Sequence, residues 1–200
     1  MGRRLRFPTT LMLALAAATT LGTFGCRRHS PLTYATIETD LGRITCLLYE
    51  DLAPNAVAVF AQFARGELPF MDPRQDFRTV QQPLYNDTTF YLVQENRLVE
   101  GGDPGGDGAT GPGVQFAAQL TPNVYHDRPG LLGMVPYGEG KYGSQFYITL
   151  APMPQFDGTR VVFGEVVSGL EVVRQISQVP ATERRPNEPV RIRRVLIVRR

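Results

Sequence analysis

The chain has 200 residues, of which 42% are hydrophobic and 20% are charged. This length and composition suit one ordinary globular domain with a short appendage. The formal net charge is +2, but Arg3, Arg4 and Arg6 supply three positive charges and residues 1–26 contain no acid, so the remainder carries a net charge of −1. A basic domain that binds nucleic acid is therefore not supported.

The first 26 residues have the pattern of an export signal. An arginine-rich start precedes an apolar run from Leu11 to Phe24, and small residues lead to a cysteine. The run is too short and too rich in Ala and Thr for a convincing membrane span. Gly25-Cys26 is typical of the end of a bacterial lipoprotein signal, although Thr23 stands where Leu is usual. We therefore expect acylation of Cys26, with plain secretion and a retained anchor as the alternatives.

This interpretation predicts three parts: a signal peptide over 1–26, a polar tether over 27–33 and a domain over 34–200. It also predicts a location in the cell envelope, on the periplasmic side, with the protein held by lipid. The second cysteine, Cys46, lies in an apolar strand pattern, so we expect a small buried hydrophobic residue there. Two cysteines placed in this way predict neither a disulfide framework nor a cysteine-based metal site.

The first predicted elements are a hairpin and a helix. Residues 34–39 and 43–49 alternate in hydrophobicity around a turn at residues 40–42. Pro54 suits a first helical turn, apolar residues follow at helical spacing, and Gly66 ends the run. Residues 67–83 have a mixed pattern with three prolines, which predicts a surface excursion.

Further along, short strands dominate the pattern. A second helix is predicted over 169–179, where Leu170, Val173 and Ile176 share one side. Many short strands with only two helices favour a closed or sandwiched antiparallel sheet. The predicted strands cover residues 88–94, 97–100, 131–135, 145–150, 161–167 and 189–198.

Three motifs occur in a specific order: Gly-Gly-Asp at 101–103, Gly-Ser-Gln-Phe at 143–146 and Val-Val-Phe-Gly at 161–164. With Thr89-Phe90, they make residues 34–198 resemble the cyclophilin family of peptidyl-prolyl cis-trans isomerases, in the form of a bacterial envelope member. The resemblance implies a mainly β fold, a closed eight-stranded antiparallel β-barrel capped by two α-helices. It also implies a monomer that takes proline-containing polypeptides and needs no metal or organic cofactor, because the reaction is a bond rotation.

The resemblance also implies a divergent active site. Where the family carries its catalytic arginine, this chain has Leu92, whereas Gln145 is retained. Arg97 and Arg160 stand at site positions that are normally uncharged, so we expect one of them to supply the missing guanidinium. The predicted catalytic residues are therefore Gln145, Arg160 and Arg97. The implied substrate-binding residues are Leu98, Glu100, Val135, Phe146, Tyr147 and Phe156.

The resulting hypothesis is an isomerase for X-Pro bonds of folding envelope or secreted proteins, with reduced activity. The alternative is a proline-peptide-binding chaperone or scaffold module that is catalytically weak or inactive. Other chemistries have little support. The glycine-rich run at 101–113 lacks the Lys-Ser/Thr of a phosphate-binding loop, and Ser144 lacks a nucleophile elbow. We expect a structural role for His126, since no histidine cluster exists to bind metal.

Overall fold

The computed structural model describes residues 31–120, 123–138 and 140–200. The predicted signal peptide, the acylation site Cys26 and residues 27–30 of the tether lie outside the described residues. The first strand begins at Thr33, which was predicted to be the last residue of the tether. Leu32 already exchanges two main-chain hydrogen bonds with Arg200, so the ordered sheet begins before the predicted domain boundary.

Eight strands close into the predicted antiparallel β-barrel. Their order around the barrel is β6-β5-β13-β1-β2-β10-β8-β9, and a pairing between β6 and β9 closes the circle. The short β7 adds to the outer end of β9, while β3–β4 and β11–β12 form separate two-stranded sheets. The strands are β1 Thr33–Thr39, β2 Gly42–Leu48, β3 Phe70–Asp72, β4 Arg78–Val80, β5 Thr88–Gln94, β6 Leu98–Asp103, β7 Phe116–Ala117, β8 Leu131–Pro136, β9 Lys141–Thr149, β10 Val162–Ser168, β11 Ala181–Thr182, β12 Arg185–Pro186 and β13 Arg191–Arg199.

The alternation read from the sequence matches the two faces of the strands. On β1, Ala35 and Ile37 are buried in the barrel, whereas Tyr34 and Thr36 are half-buried on the outside. This follows from the strand geometry, in which successive side chains point to opposite faces. Cys46 on β2 lies in the core as predicted, and burial raises the pKa of its thiol to about 12.

Two helices pack against the barrel, as predicted. Helix α1 spans Pro54–Arg65 and ends where Gly66 adopts a positive φ of 73°, which lets its N–H reach the last free carbonyls. Helix α2 spans Leu170–Ser177. Among the described residues, none of the helices has the length and the apolar character that are needed to cross a bilayer.

Aromatic rings fill the interior between α1 and the strands. The Phe146 ring lies 5.8 Å from both Phe60 and Tyr85 and 6.0 Å from Phe90, in edge-to-face geometry with all three. Such pairs stabilise a core by about 0.5–1.5 kcal/mol each beyond the burial of their area. The structure therefore places Phe146 in the barrel core and not with the other predicted substrate-binding residues, so that its role in binding stays a prediction. Its neighbour Tyr147 points to the opposite face of β9.

The segment 67–83 is a short ordered structure on the barrel surface. It contains the β3–β4 hairpin and a single 3-10 turn at Pro73–Gln75. The buried Asp72 organises this segment, because it accepts hydrogen bonds from the main chain and guanidinium of Arg74 and from the Gln75 and Gln82 amides. Burial alone would raise the pKa of Asp72, but these hydrogen bonds hold it below its usual value.

Candidate active site

A chain of polar side chains connects β5, β6 and β9, and we call it the polar wall: Tyr91, Glu100, Asp103 and Gln145. The Tyr91 hydroxyl lies 2.9 Å from Gln145 Oε1 and 3.2 Å from Glu100 Oε2. The Gln145 amide donates in turn to Asp103 Oδ1 at 3.2 Å. Burial is the main reason that the pKa values of Tyr91 and Glu100 are raised. The hydrogen bonds of the Gln145 side chain are thus made within the protein.

The far end of the polar wall is fixed by the glycine-rich loop. The Asp103 carboxylate is fully buried and accepts main-chain N–H groups of Asp107, Gly108 and Gly111 at 2.8–3.0 Å. Burial raises the pKa of Asp103, and the three N–H groups partly oppose that shift. The glycine-rich run therefore folds around a carboxylate of the protein.

Next to the polar wall lies a small apolar cluster separate from the barrel core, and we call it the apolar floor: Leu98, Tyr147, Met153 and Phe156, with Val135 packed against it. The Tyr147 and Phe156 rings are 5.5 Å apart in edge-to-face geometry. Leu98 and Tyr147 are buried, with 1% and 0% of their surfaces exposed. Four of the predicted substrate-binding residues, Leu98, Val135, Tyr147 and Phe156, therefore lie together.

A hydrogen-bonded chain holds the Tyr147 ring from below. The Tyr147 hydroxyl is 2.6 Å from Nε2 of the buried His126. Nδ1 and the main-chain N–H of His126 lie 2.9 Å and 2.7 Å from Asp157 Oδ1. Because a carboxylate accepts the Nδ1 proton, Nε2 is the acceptor for the tyrosine hydroxyl. These contacts lower the pKa of Asp157, whereas burial raises that of Tyr147.

Arg160 covers the apolar floor. Its guanidinium carbon lies 3.6 Å from the centre of the Phe156 ring and 5.4 Å from that of Tyr147, which are cation–π distances. Its Nη1 is 3.7 Å from Glu100 Oε1, close enough for an ion pair. Among the described residues, this buried Nη1 has no hydrogen-bond partner. The guanidinium thus faces Glu100 as an ion-pair partner, while its Nη1 makes no hydrogen bond within the described residues.

The two predicted arginines have different surroundings. Arg97 is exposed in the turn between β5 and β6, and its Nη2 is 4.0 Å from the sulfur of Met153. Glu100 forms its ion pair with Arg160 and not with Arg97. Leu92 is half-buried on β5 opposite Glu100. The geometry thus favours Arg160 over Arg97 as the donor above the floor.

Two parts of this site were not predicted from the sequence. Tyr91 joins the polar wall because the register between β5 and β6 shifts on either side of Phe90, and no residue pattern announced that shift. His126 was expected to be structural, and its hydrogen bond to Tyr147 fits that role, but no residue pattern indicated that it would contact the apolar floor. In the part of the chain that the structure describes, no group of three or more His, Cys, Asp or Glu side chains is arranged to hold a metal ion.

Known proteins are similar to this chain in sequence and in fold. The family model described as "Cyclophilin type peptidyl-prolyl cis-trans isomerase/CLD" matches residues 34–197. Peptidyl-prolyl cis-trans isomerase B of Streptomyces anulatus is 36% identical over 168 residues, which cover 82% of this chain and 95% of the relative. Peptidyl-prolyl cis-trans isomerase A of Mycobacterium tuberculosis is 34% identical over 180 residues, covering 84% of this chain and 95% of the relative.

Solved structures agree with the sequence comparison. A crystal structure of a Cryptosporidium parvum cyclophilin type peptidyl-prolyl cis-trans isomerase superposes with a TM-score of 0.70 at 25% identity, covering 84% of this chain and 98% of that one. The same parasite protein in the presence of the dipeptide Ala-Pro superposes with a TM-score of 0.69 at 25% identity, over 82% and 98% of the two chains. The chain therefore belongs to the cyclophilin-type peptidyl-prolyl cis-trans isomerases.

Proposed function

We propose that this isomerase acts on X-Pro bonds of folding envelope or secreted proteins, that Arg160 supplies its electrostatic donor, and that its rate is reduced. The observation that carries the assignment of Arg160 is its buried Nη1, which has no hydrogen-bond partner among the described residues and belongs to a guanidinium stacked over Phe156. A buried N–H that makes no hydrogen bond is costly in a resting protein. A substrate that offers an acceptor at this point would remove that cost.

The reaction requires rotation about an amide bond with a barrier of about 18–20 kcal/mol, which arises from resonance. Rotation becomes easier when the prolyl nitrogen turns pyramidal and its lone pair is no longer delocalised. An N–H directed at that lone pair stabilises the twisted amide and not the planar one, which is the requirement for catalysis. In this site, the Phe156 and Tyr147 rings would hold the proline ring and Arg160 would donate to its nitrogen.

The polar wall would orient the peptide without taking part in the rotation. Tyr91 and Asp103 fix both ends of the Gln145 amide, which keeps that side chain in one orientation at the edge of the floor. Burial raises the pKa of Glu100, but the charge of Arg160 opposes that shift and favours a carboxylate beside the guanidinium. That ion pair competes with a substrate for Arg160, which favours a slower reaction.

A second observation also supports a reduced rate. Tyr147 is buried and the Arg160 guanidinium lies 5.4 Å from the centre of its ring, so a proline ring would reach Tyr147 only after the guanidinium has moved from its position 3.6 Å from the centre of the Phe156 ring. Loss of one preorganised donor in other enzymes costs about 10²–10³ in rate. We expect a shortfall of that order relative to relatives that carry arginine at the position of Leu92.

The buried floor also supports the alternative, a module that binds proline peptides without useful turnover. The distinguishing experiment measures isomerisation and binding of one proline peptide, for example one that contains Ala-Pro, as in the related parasite structure. Acceleration that saturates with the same midpoint as binding supports the enzyme. Binding without acceleration, even at high protein concentration, leaves only the binding module.

The proposed location rests on the N-terminal sequence. The expected product of export is a monomeric protein with an acylated N-terminal Cys26, held at the periplasmic side of a membrane. Mass spectrometry of the protein purified from membranes should show the acyl mass on Cys26, and the Cys26→Ser variant should lack it. An unmodified N-terminus in a secreted protein would point to plain secretion instead, and retention of residues 1–25 would point to a retained anchor.

A further inference from the structure

The outer face of β13, β1 and β2 presents apolar side chains to solvent. Tyr34 lies in register between Val198 on one side and Leu47 on the other. Leu196 follows on the same face, and Leu196 and Val198 are 39% and 40% exposed. Leu32, at the start of this sheet, is 50% exposed. We call this surface the β13–β1–β2 face.

Arginines surround these apolar side chains. The β13–β1–β2 face and its rim carry six arginines and only four acids, although residues 31–200 together contain sixteen basic and nineteen acidic residues. The arginines are largely exposed, with 73% of the Arg43 side chain and 61% of the Arg199 side chain accessible. Five of the six form ion pairs with these four acids, and because the arginines outnumber the acids six to four, the face keeps a formal net charge of +2. The six are Arg43, Arg191, Arg193, Arg194, Arg199 and Arg200, and the acids are Glu38, Asp40, Glu50 and Asp87.

The position of this face in the barrel is equally informative. In the closed strand order, β1 is four places from β9 in both directions, so the β13–β1–β2 face lies opposite the strand that carries Gln145 and Tyr147. A large partner on this face would leave the active site open on the other side of the barrel.

The chain enters the domain beside this face. Leu32 is hydrogen-bonded to Arg200, and the Arg200 guanidinium lies 5.5 Å from the Tyr34 ring. Cys26 precedes Pro31 by five residues. A chain of that length spans at most about 18 Å when fully extended. An acyl group on Cys26 would therefore keep this edge of the barrel close to a bilayer.

We propose that the β13–β1–β2 face docks on a bilayer surface that contains anionic phospholipid. The proposal rests on the lipid anchor proposed above, because acylation of Cys26 would bring this face close to the bilayer. The attraction to anionic lipid follows from the side chains of the face itself. Arginine side chains attract anionic headgroups, and tyrosine and aliphatic side chains enter the headgroup region of a bilayer. Docked in this way, the isomerase holds its active site towards the compartment where its substrates fold.

The natural chain contains no tryptophan, which allows a clean fluorescence test. The Leu196→Trp variant places the probe within the face. The Tyr125→Trp variant is the matched control, because Tyr125 is 56% exposed and adjoins His126 near the active site. Both acylated proteins are reconstituted into vesicles of phosphatidylglycerol and phosphatidylcholine, or of phosphatidylcholine alone, with brominated acyl chains as quenchers.

We expect quenching of the Leu196→Trp probe to exceed that of the control at least about twofold in anionic vesicles, and to fall with salt. Replacing Arg43 and Arg200 by Gln in the same background should remove the preference for anionic vesicles. Equal quenching of both probes, or the same quenching in neutral vesicles, overturns the proposal. A dimer in solution that buries the probe also overturns it and assigns the face to a second copy.

Failure of the anchor is distinguishable from failure of the docking face. Mass spectrometry of the N-terminus reports acylation directly. If Cys26 is not acylated, the anchor is wrong, and titration of the same two variants with anionic vesicles still decides the docking face. In that case, blue-shifted emission for Leu196→Trp alone supports docking, and unchanged emission for both variants contradicts it.

Discussion

Gln145 and Tyr147 point to the same face of β9, yet the two side chains have different surroundings. Gln145 belongs to the polar wall, where neighbouring side chains satisfy its hydrogen bonds. Tyr147 belongs to the apolar floor, where the group above it, Arg160, has a buried N–H without a hydrogen-bond partner among the described residues. The difference is that the hydrogen bonds of Gln145 are satisfied within the protein, whereas the guanidinium beside Tyr147 has an N–H that makes no hydrogen bond within the described residues, and this is the basis of the proposal that Arg160 is the donor.

The largest expected effect is that of Arg160→Ala. Loss of the only donor assigned above the floor should lower kcat/KM by about 10²-fold, mainly through kcat, because the uncovered Phe156 and Tyr147 rings can still hold proline. The protease-coupled or NMR exchange assay of a proline peptide measures this. Arg97→Ala is the matched control and should keep the original rate. If Arg160→Ala keeps the full isomerisation rate, Arg160 is not the catalytic donor, and the polar wall or Arg97 is the remaining candidate.

The second test concerns the support beneath the floor. His126→Ala leaves the buried Tyr147 hydroxyl without its acceptor and should reduce the free energy of unfolding by about 1–3 kcal/mol. Denaturant unfolding measures this loss. The double variant His126→Ala with Tyr147→Phe removes both partners, so it should lose less than the sum of the two single variants. If the losses in the free energy of unfolding are strictly additive, the 2.6 Å contact between His126 and Tyr147 contributes nothing to stability.

A smaller effect on stability and rate is expected from a substitution in the polar wall. Tyr91→Phe removes the hydroxyl between Gln145 and Glu100 and should cost about 1 kcal/mol of folding stability, with a several-fold lower kcat from a less fixed Gln145. Tyr125→Phe, at an exposed position, is the control and should change neither quantity. If Tyr91→Phe slows isomerisation as much as Arg160→Ala, the division between a positioning wall and a donating floor is wrong.

The smallest effect concerns acid pH. Hydrogen bonds from His126 lower the pKa of Asp157 below its usual value. A carboxyl group with a depressed folded pKa stabilises the fold above its unfolded pKa of about 3.9, and that contribution disappears as pH falls through the folded value. The difference in Tm between the natural protein and Asp157→Asn should therefore be present at pH 6 and shrink progressively as the pH falls below about 3.9. Asp51→Asn is the surface control, and a difference that persists at low pH would contradict the assignment.

Much of the fold could be predicted from local patterns. Period-two alternation gave the β1–β2 hairpin, and Pro54 with Gly66 marked the ends of α1. The same alternation implies that Phe146 and Tyr147 face opposite ways, but the sequence does not say which of two adjacent aromatic residues is inside. That choice depends on long-range packing against Phe60, Tyr85 and Phe90, which only the assembled barrel provides.

The site could be predicted only in part, for similar reasons. Leu98, Val135, Tyr147 and Phe156 were named from the resemblance and do meet in one cluster. Tyr91 joins the wall through a register shift between β5 and β6, which leaves no signature in composition or spacing. Likewise, the orientation of Arg160 over Phe156 depends on the turn after Pro154–Phe156, in which local main-chain hydrogen bonds act together with the long-range contact between Asp157 and His126.

Gly133 on β8 sets how deep the site can be. It lies opposite Tyr147, and a Cβ at this position would stand 2.2 Å from the tyrosine hydroxyl. The floor can therefore sink towards its neighbouring strand only because that strand carries no side chain there. An alanine at 133 would lift the ring towards Phe156 and make the recess shallower. The depth at which the Tyr147 ring lies is thus set by the hydrogen atom that Gly133 carries in place of a side chain.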